Sequence, residues 1–274
     1  MVGRKRDDDM TDNVQEPVPE EVVRKRHRGI YLLPNLFTTG CLFSGFYAII
    51  AAVNHQYENA AIAIFVAMVL DGLDGRVARM THTESEFGVQ YDSLADMCSF
   101  GLAPALVVYM WALSGAGKLG WMCAFIYAAG TALRLARFNT QVKVVDKRFF
   151  QGLPSPSAAA IVAGTIWMCV EYGLDGKDVL YPTLFVTVLA GLLMVSNFPY
   201  YSFKDLDVKD KVPFLVVILV VLGFAFVALS PATVFFIFFA LYLGSGPVVM
   251  YIGRRRKRAD RRGTGVSGEG GPPA

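Results

Sequence analysis

Long apolar runs separated by short polar breaks dominate the chain from about residue 34 to residue 252. A helix needs about 20 apolar residues to cross the hydrocarbon core of a bilayer. Eight stretches approach that length. They are Pro34–Val53, a run opening near Ala60 that carries Asp71 and Asp74 towards its end, Gly88–Leu113, Leu119–Phe138, Pro156–Tyr172, Tyr181–Phe198, Pro213–Leu229 and Ala232–Ile252. Inside lipid the backbone N–H and C=O groups must be satisfied within the segment, so each stretch is expected to be a helix. The fold class expected is all-α: a polytopic membrane helix bundle of about eight transmembrane helices spanning residues 30–252. Residues 1–29 form a polar tail rich in Asp, Glu, Lys, Arg and Pro, expected to be disordered. Residues 253–274 form a second tail, basic at first and then rich in Gly and Pro. The N-terminal stretch has no short apolar segment followed by a small-residue cleavage site, so no signal peptide is expected.

Composition agrees with this reading: 54% of residues are hydrophobic, 20 are Phe, and 18% are charged. The net charge of +3 matters less than where the basic residues sit. Of the 26 Lys and Arg, only Lys118 and Lys177 fall in the alternate loops; the other 24 fall in the two tails, the loops near 143–148 and 204–211, and the helix ends at Arg76, Arg79, Arg134 and Arg137. Loops rich in Lys and Arg stay in the cytoplasm. An even number of spans with both termini cytoplasmic satisfies that rule. The chain is therefore expected to be a multi-pass protein of the cytoplasmic (inner) membrane, in contact with membrane lipids and without a nucleic-acid partner. The basic run Arg254–Arg262 reads as a topological anchor, and Gly244-Ser-Gly246-Pro247 as a packing site or a kink. Cys41, Cys98, Cys123 and Cys169 lie inside apolar runs without metal-type spacing and read as small buried apolar residues. His27, His55 and His82 are scattered, and none joins a cluster.

One pattern breaks the apolar background: Asp71-x-x-Asp74-Gly75-x-x-Ala78-Arg79, eight residues, then Gly88-x-x-x-Asp92-x-x-x-Asp96. A carboxylate at membrane depth costs roughly 2.5–3.5 kcal/mol, so intramembrane acids are functional by default. On a helix Asp71, Asp74, Gly75 and Ala78 share one face, as do Gly88, Asp92 and Asp96. Consecutive helices joined by a short loop pack antiparallel, which lets the two acidic faces meet. Gly75, Ala78 and Gly88 are small and permit close approach. Converging carboxylates repel unless a cation sits among them, and oxygen-only ligands favour hard divalent ions such as magnesium, manganese or calcium. With no His or Cys in the cluster, zinc is not expected.

A pair of such cations at the cytoplasmic interface suits a diphosphate substrate, with charge on phosphorus and leaving group stabilised. Arg79 would add a cation at the leaving phosphate, and a remaining carboxylate would take a proton from the acceptor. Two other readings compete. The carboxylates could pair with Arg76, Arg79, Arg134 and Arg137 in a structural network. Alternatively, a cation transporter would use them as an ion site, but it would place them at the bilayer centre in broken helices. Here they sit near helix ends.

The stretch from Asp71 to Asp96 resembles, position for position, the signature of the CDP-alcohol phosphatidyltransferase family. The resemblance implies that Asp71, Asp74 and Asp92 ligate a centre of two divalent cations, Mg or Mn. It also implies that Asp96 is both a ligand of the second cation and the catalytic base. By the same resemblance Gly75 and Arg79 contact the CDP moiety, and Ser85 touches the nucleotide-linked phosphates. Asn35 and Thr38, in Pro34-Asn35-x-x-Thr38, fall in the segment that contacts cytidine. A homodimer is implied by the family alone.

Within the family, Asn35-Leu-Phe-Thr-Thr-Gly-Cys-Leu-Phe-Ser-Gly45, Arg134-Leu-Ala-Arg-Phe-Asn139 and Gly152-Leu-Pro-Ser-Pro-Ser-Ala-Ala-Ala160 are similar to the bacterial integral-membrane branch that uses L-serine. The reaction implied is CDP-diacylglycerol plus L-serine giving phosphatidylserine and CMP. The serine carboxylate needs a cationic or amide-rich pocket, and Arg134, Arg137 and Asn139 are the candidates; Ser155 and Ser157 are candidates to shape it. The alternative for those arginines is interfacial anchoring. The same chemistry with glycerol 3-phosphate or inositol phosphate as acceptor is the second reading, because the cations near the site do not exclude it.

Overall fold

Helices account for nearly all of the backbone of the computed structural model, which describes residues 32–81, 85–141, 149–201 and 214–263. The N-terminal tail, His27, His82, most of the basic loop after residue 141, the loop 202–213 and the chain beyond 263 lie outside the described residues.

All eight expected segments are helical. Helix α1 is Leu32–Val53 and α2 is Tyr57–Thr81. The third segment is compound: α3, Glu86–Asp96, passes through a π-helical turn, Met97–Leu102, into α4, Ala103–Trp111. Then follow α5 (Lys118–Gln141), α6 (Ser155–Glu171), α7 (Leu180–Val195), α8 (Phe214–Leu229) and α9 (Pro231–Gly263). Among the described residues four helical stretches are long and apolar enough to cross a membrane: Leu33–Val53, Glu86–Trp111, Lys118–Thr140 and Pro231–Tyr251. The others differ for plain reasons. Helices α6, α7 and α8 have only 16 or 17 residues, and α2 carries Glu58, Asp71, Asp74, Arg76 and Arg79.

Two expectations change. Helix α9 does not end at Ile252 but continues to Gly263, through the first part of the stretch expected to be a tail. The Arg, Lys and Ala residues there are good helix formers. It also passes through Pro247 without interruption. In addition, a short antiparallel pairing that no hydrophobic pattern announces joins β1 (Phe149–Gln151) to β2 (Pro199–Tyr201), Phe150 opposite Tyr200. Next to it Gly152 adopts φ +82, a left-handed conformation. The amides of Gly152 and Leu153 donate to the carbonyls of Phe198 and Leu193, at 2.9 and 3.0 Å. This clip ties the start of α6 to the end of α7.

Helix α6 is the central element. Ala158 to Ile166 is buried without a break, and α6 packs against α2, α4, α7 and α9. Lipid tails are as apolar as Leu, so helices in a bilayer gain little from hydrophobic burial and depend on close packing of small residues. The structure meets that need. A Cβ on Gly130 of α5 would lie 2.5 Å from the Gly191 carbonyl oxygen of α7, so the two backbones touch there. Phe65 of α2 stacks on Phe235 of α9, ring centroids 5.0 Å apart, beside Trp167 of α6. Cys41, Cys123 and Cys169 are buried as expected, whereas Cys98 is only half-buried, and all four are free thiols.

This packing predicts a graded response to enlarging glycines. Gly130→Val would force α5 from α7 and destabilise the fold by about 1–3 kcal/mol or more. Gly223→Ala meets nothing within 4 Å and should be neutral or slightly stabilising. Thermal unfolding in detergent, followed by light scattering, checks the pair.

Candidate active site

Helices α2 and α3 bring their acidic faces together. One carboxylate oxygen from each of Asp71, Asp74 and Asp92 lies within 4.8 Å of the others. Two full charges at that separation repel by about 3 kcal/mol at an effective dielectric constant of ~20. Asp74 is only 5% exposed, and its Oδ2 accepts from the Thr38 hydroxyl of α1 at 2.8 Å. Asp96 faces the charges of Asp71, Asp92 and Arg134. Its Oδ1 is buried, and among the described residues it has no hydrogen-bond partner. A buried acceptor without a donor is costly, and a cation removes that cost. The acceptor-only donor set, the clustered oxygens and the orphaned Oδ1 together fit hard divalent ions. Asp71, Asp74 and Asp92 would hold one, and Asp96 lies alongside to share a second.

The arginines divide. Arg134 of α5 donates from Nη1 to the buried Ser155 hydroxyl at 2.6 Å and stands within the fields of Asp96, Asp71 and Tyr242. Arg137 turns to the end of α7, donating to the Val195 carbonyl at 3.2 Å and to Asn197 Oδ1 at 3.1 Å. Arg79 folds along its own helix, Nε donating to the Gly75 carbonyl at 2.8 Å, and Arg76 is exposed. A structural network joining all four arginines to the carboxylates is therefore not what the chain builds.

Ser85 caps α3, its hydroxyl accepting from the Gly88 amide at 3.0 Å. A Cβ on Gly88 would meet Ser85 Oγ at 3.1 Å and Asn35 Oδ1 at 3.7 Å, so these three lie side by side. Gly75, by contrast, has nothing within 4 Å of its Cβ position, which leaves open space beside Asp74. Thr38 is buried and committed to Asp74, with the Pro34 carbonyl 3.1 Å from the same hydroxyl. Asn139 donates to Ser93 Oγ at 3.0 Å and so braces α3 next to Asp92. Ser157 is half-buried at the start of α6.

Two residues here went unseen in the sequence. Tyr91 of α3 pairs with Thr39 of α1 at 2.9 Å, and Tyr242, on the distant α9, stands within the field of Arg134. A Tyr one residue before Asp92 was a weak hint for the first; nothing in the chain signalled the second.

The model of the CDP-alcohol phosphatidyltransferase family matches residues 31–196. The chain is 38% identical over 215 residues to the CDP-diacylglycerol–serine O-phosphatidyltransferase of Helicobacter pylori, an alignment covering 78% of this chain and 89% of that protein. A protein of the same name from Mycobacterium leprae is 30% identical over 232 residues, 83% of this chain and 77% of its own. One from Methanocaldococcus jannaschii is 33% identical over 147 residues, 54% and 66% of the two chains.

Because Thr38 orients Asp74, Thr38→Val should weaken manganese(II) binding by about 10-fold or more, the usual effect of removing a partner that orients a metal ligand. Electron paramagnetic resonance of the free ion, titrated into purified protein, reads it directly. Unchanged binding would show that the hydroxyl does not orient the carboxylate.

Proposed function

This chain belongs to the CDP-alcohol phosphatidyltransferase family, and we propose that its reaction is transfer of the phosphatidyl group from CDP-diacylglycerol to L-serine, giving phosphatidylserine and CMP. The carrying observation is the convergence of Asp71, Asp74 and Asp92 beside Asp96, whose Oδ1 has no hydrogen-bond partner among the described residues. Similarity to relatives named for the serine reaction, over most of the chain, supports the choice of acceptor. The protein is an integral membrane enzyme, and its apolar helices suit a lipid-linked donor.

In the step itself the serine hydroxyl oxygen forms a bond to the phosphorus that bears diacylglycerol. The bond from that phosphorus to the bridging oxygen breaks, and CMP departs with the electron pair. The hydroxyl proton passes to the Asp96 carboxylate. Two divalent cations, Mg or Mn, would neutralise charge on the diphosphate oxygens when bound. Asp71, Asp74 and Asp92 would hold them together with Asp96. Gly75 leaves room for the diphosphate, and Arg79 lies one turn further along the same helix. Asn35 and Ser85 border the nucleotide side, and Thr38 acts there through Asp74. Arg134, braced by Ser155, receives the serine carboxylate; Arg137 and Asn139 hold the end of α5 so that it can. We read the bundle as eight crossings of the inner membrane, with both termini and the active site on the cytoplasmic side, between a polar tail at 1–29 and a basic one from 253. A homodimer is part of the same reading, on family resemblance alone.

The decisive experiment is CMP release by the purified full chain in detergent. It receives CDP-diacylglycerol and magnesium or manganese, with L-serine, glycerol 3-phosphate and inositol phosphate in turn. Release is expected with serine alone, and Asp96→Asn should lower it by about 100-fold or more, the usual share of a general base. Release only with another acceptor would discard serine and keep the chemistry.

A second prediction isolates the acceptor pocket. Arg134→Lys keeps the charge and loses the planar fork, so KM for serine should rise about 10-fold, while KM for CDP-diacylglycerol stays as it was. Equal increases in both constants would remove Arg134 from the serine site.

A further inference from the structure

The helix that carries Asp92 and Asp96 is not uniform. Immediately after Asp96 it enters the π-helical turn Met97–Leu102, closed by the Ala103 amide donating to Cys98 five residues back. Such turns make up well under 1% of residues in proteins and gather at functional sites. Each inserts one residue, which shifts the two flanking helical faces by roughly 100° relative to each other. Helix α4 is locked in the core through Ala103, Val107, Val108 and Trp111. If the same residues closed as a plain α-helix, the segment free to rotate would be α3, and Asp92 and Asp96 would turn with it.

What holds the wider turn lies on two neighbouring helices. On one side Ser99 donates to the Cys41 carbonyl of α1 at 2.9 Å, and Gly45 leaves the space that Ser99 fills. On the other side is one stripe of α5: Tyr127, Thr131 and Arg134, at spacings that share a face. Pro104 has no N–H to offer the Phe100 carbonyl four residues before it. That carbonyl instead accepts from the fully buried Tyr127 hydroxyl at 2.9 Å. A Cβ on Gly101 would meet Thr131 Cγ2 at 3.2 Å, and the Arg134 guanidinium is near enough for its charge to be felt at Asp96. Three successive positions of α5 thus track the turn down to the carboxylate.

We propose that Tyr127 is a positioning residue for Asp96: its bond to the Phe100 carbonyl fixes the five-residue turn that aims the carboxylate into the acidic cluster. This rests on the reading of that cluster given above. Tyr127 is out of reach of substrate by burial and acts only through the backbone of the turn.

The test measures manganese(II) binding, thermal stability and CMP release for the full chain in detergent. Tyr127→Phe removes one oxygen and keeps the ring. It should lower kcat and manganese affinity by about 10-fold or more, with little change in KM for serine. Adding Pro104→Ala returns an amide four residues beyond Phe100, the spacing of a plain α-turn. That double variant should regain stability without regaining manganese affinity. Wild-type binding and turnover in Tyr127→Phe would overturn the proposal. So would recovery of manganese affinity in the double variant, since the hydroxyl would then merely satisfy a carbonyl. Should Tyr127→Phe fail to fold, Pro104→Ala alone offers the Phe100 carbonyl a rival donor and should weaken manganese binding; unaltered binding would again overturn the idea. A wild type that binds manganese yet releases no CMP with any acceptor would sink the serine-transfer reading, and the role of Tyr127 would still be decided by manganese affinity.

Discussion

Mutual repulsion among carboxylates at the edge of a low-dielectric medium is the constraint on which this structure depends. Three side-chain oxygens held within 4.8 Å would push their helices apart in the absence of a cation. The surrounding bundle must resist that force before any ligand arrives. It does so with contacts that are short and directional: Thr38 on Asp74, Asn139 on Ser93, and Tyr127 on the turn behind Asp96. Each reaches across from a helix other than the one it steadies. A cluster of this kind is unfavourable alone and favourable only with its cation, which makes affinity for the ion a product of the scaffold's stiffness.

The stiffness comes from small residues. Helix α6 is almost all Ala, Ile, Val and Gly over its buried length, and it lies among α2, α4, α7 and α9 as a central post. Gly130 and Gly191 put α5 and α7 in backbone contact. In lipid, where apolar side chains gain nothing by leaving the solvent, such contacts supply the cohesion that a water-soluble core obtains from burial. Arg134 and the Tyr127 hydroxyl are held in register by α5, and α5 is held by α7.

The acidic pattern was legible because carboxylates three and four apart leave no doubt about a shared helical face, and because their cost in a membrane demands a reason. The helices were legible from the apolar runs alone. Other features were hidden for identifiable causes. Arg134 and Arg137 are three apart and look equivalent, yet one points into the site and the other to Asn197; spacing cannot tell which neighbour each will meet. The π-helical turn left one trace, Pro104 inside an apolar run, which signals a disturbed hydrogen-bond ladder without saying of which kind. The strands at Phe149–Gln151 and Pro199–Tyr201 are three residues each, too short to show any alternation. Tyr242 acts across the longest separation in the site, and nothing local marks it.

The small β1–β2 clip has a consequence for biogenesis. It joins residues on either side of α6 and α7 and so closes a loop of two whole helices. Its inner residue, Tyr200, is fully buried and donates to the Leu243 carbonyl of α9, and its ring fills the space left by Gly246 of that helix. A nascent chain inserts from its N-terminus, so the acidic helices enter the bilayer early. The start of α6, with the Ser155 that braces Arg134, is pinned only after residue 201 has emerged and the final helix has come to lie against it. The acidic cluster is thus assembled first and the bonded pair of Arg134 and Ser155 last, so a chain still on the ribosome holds the carboxylates without it.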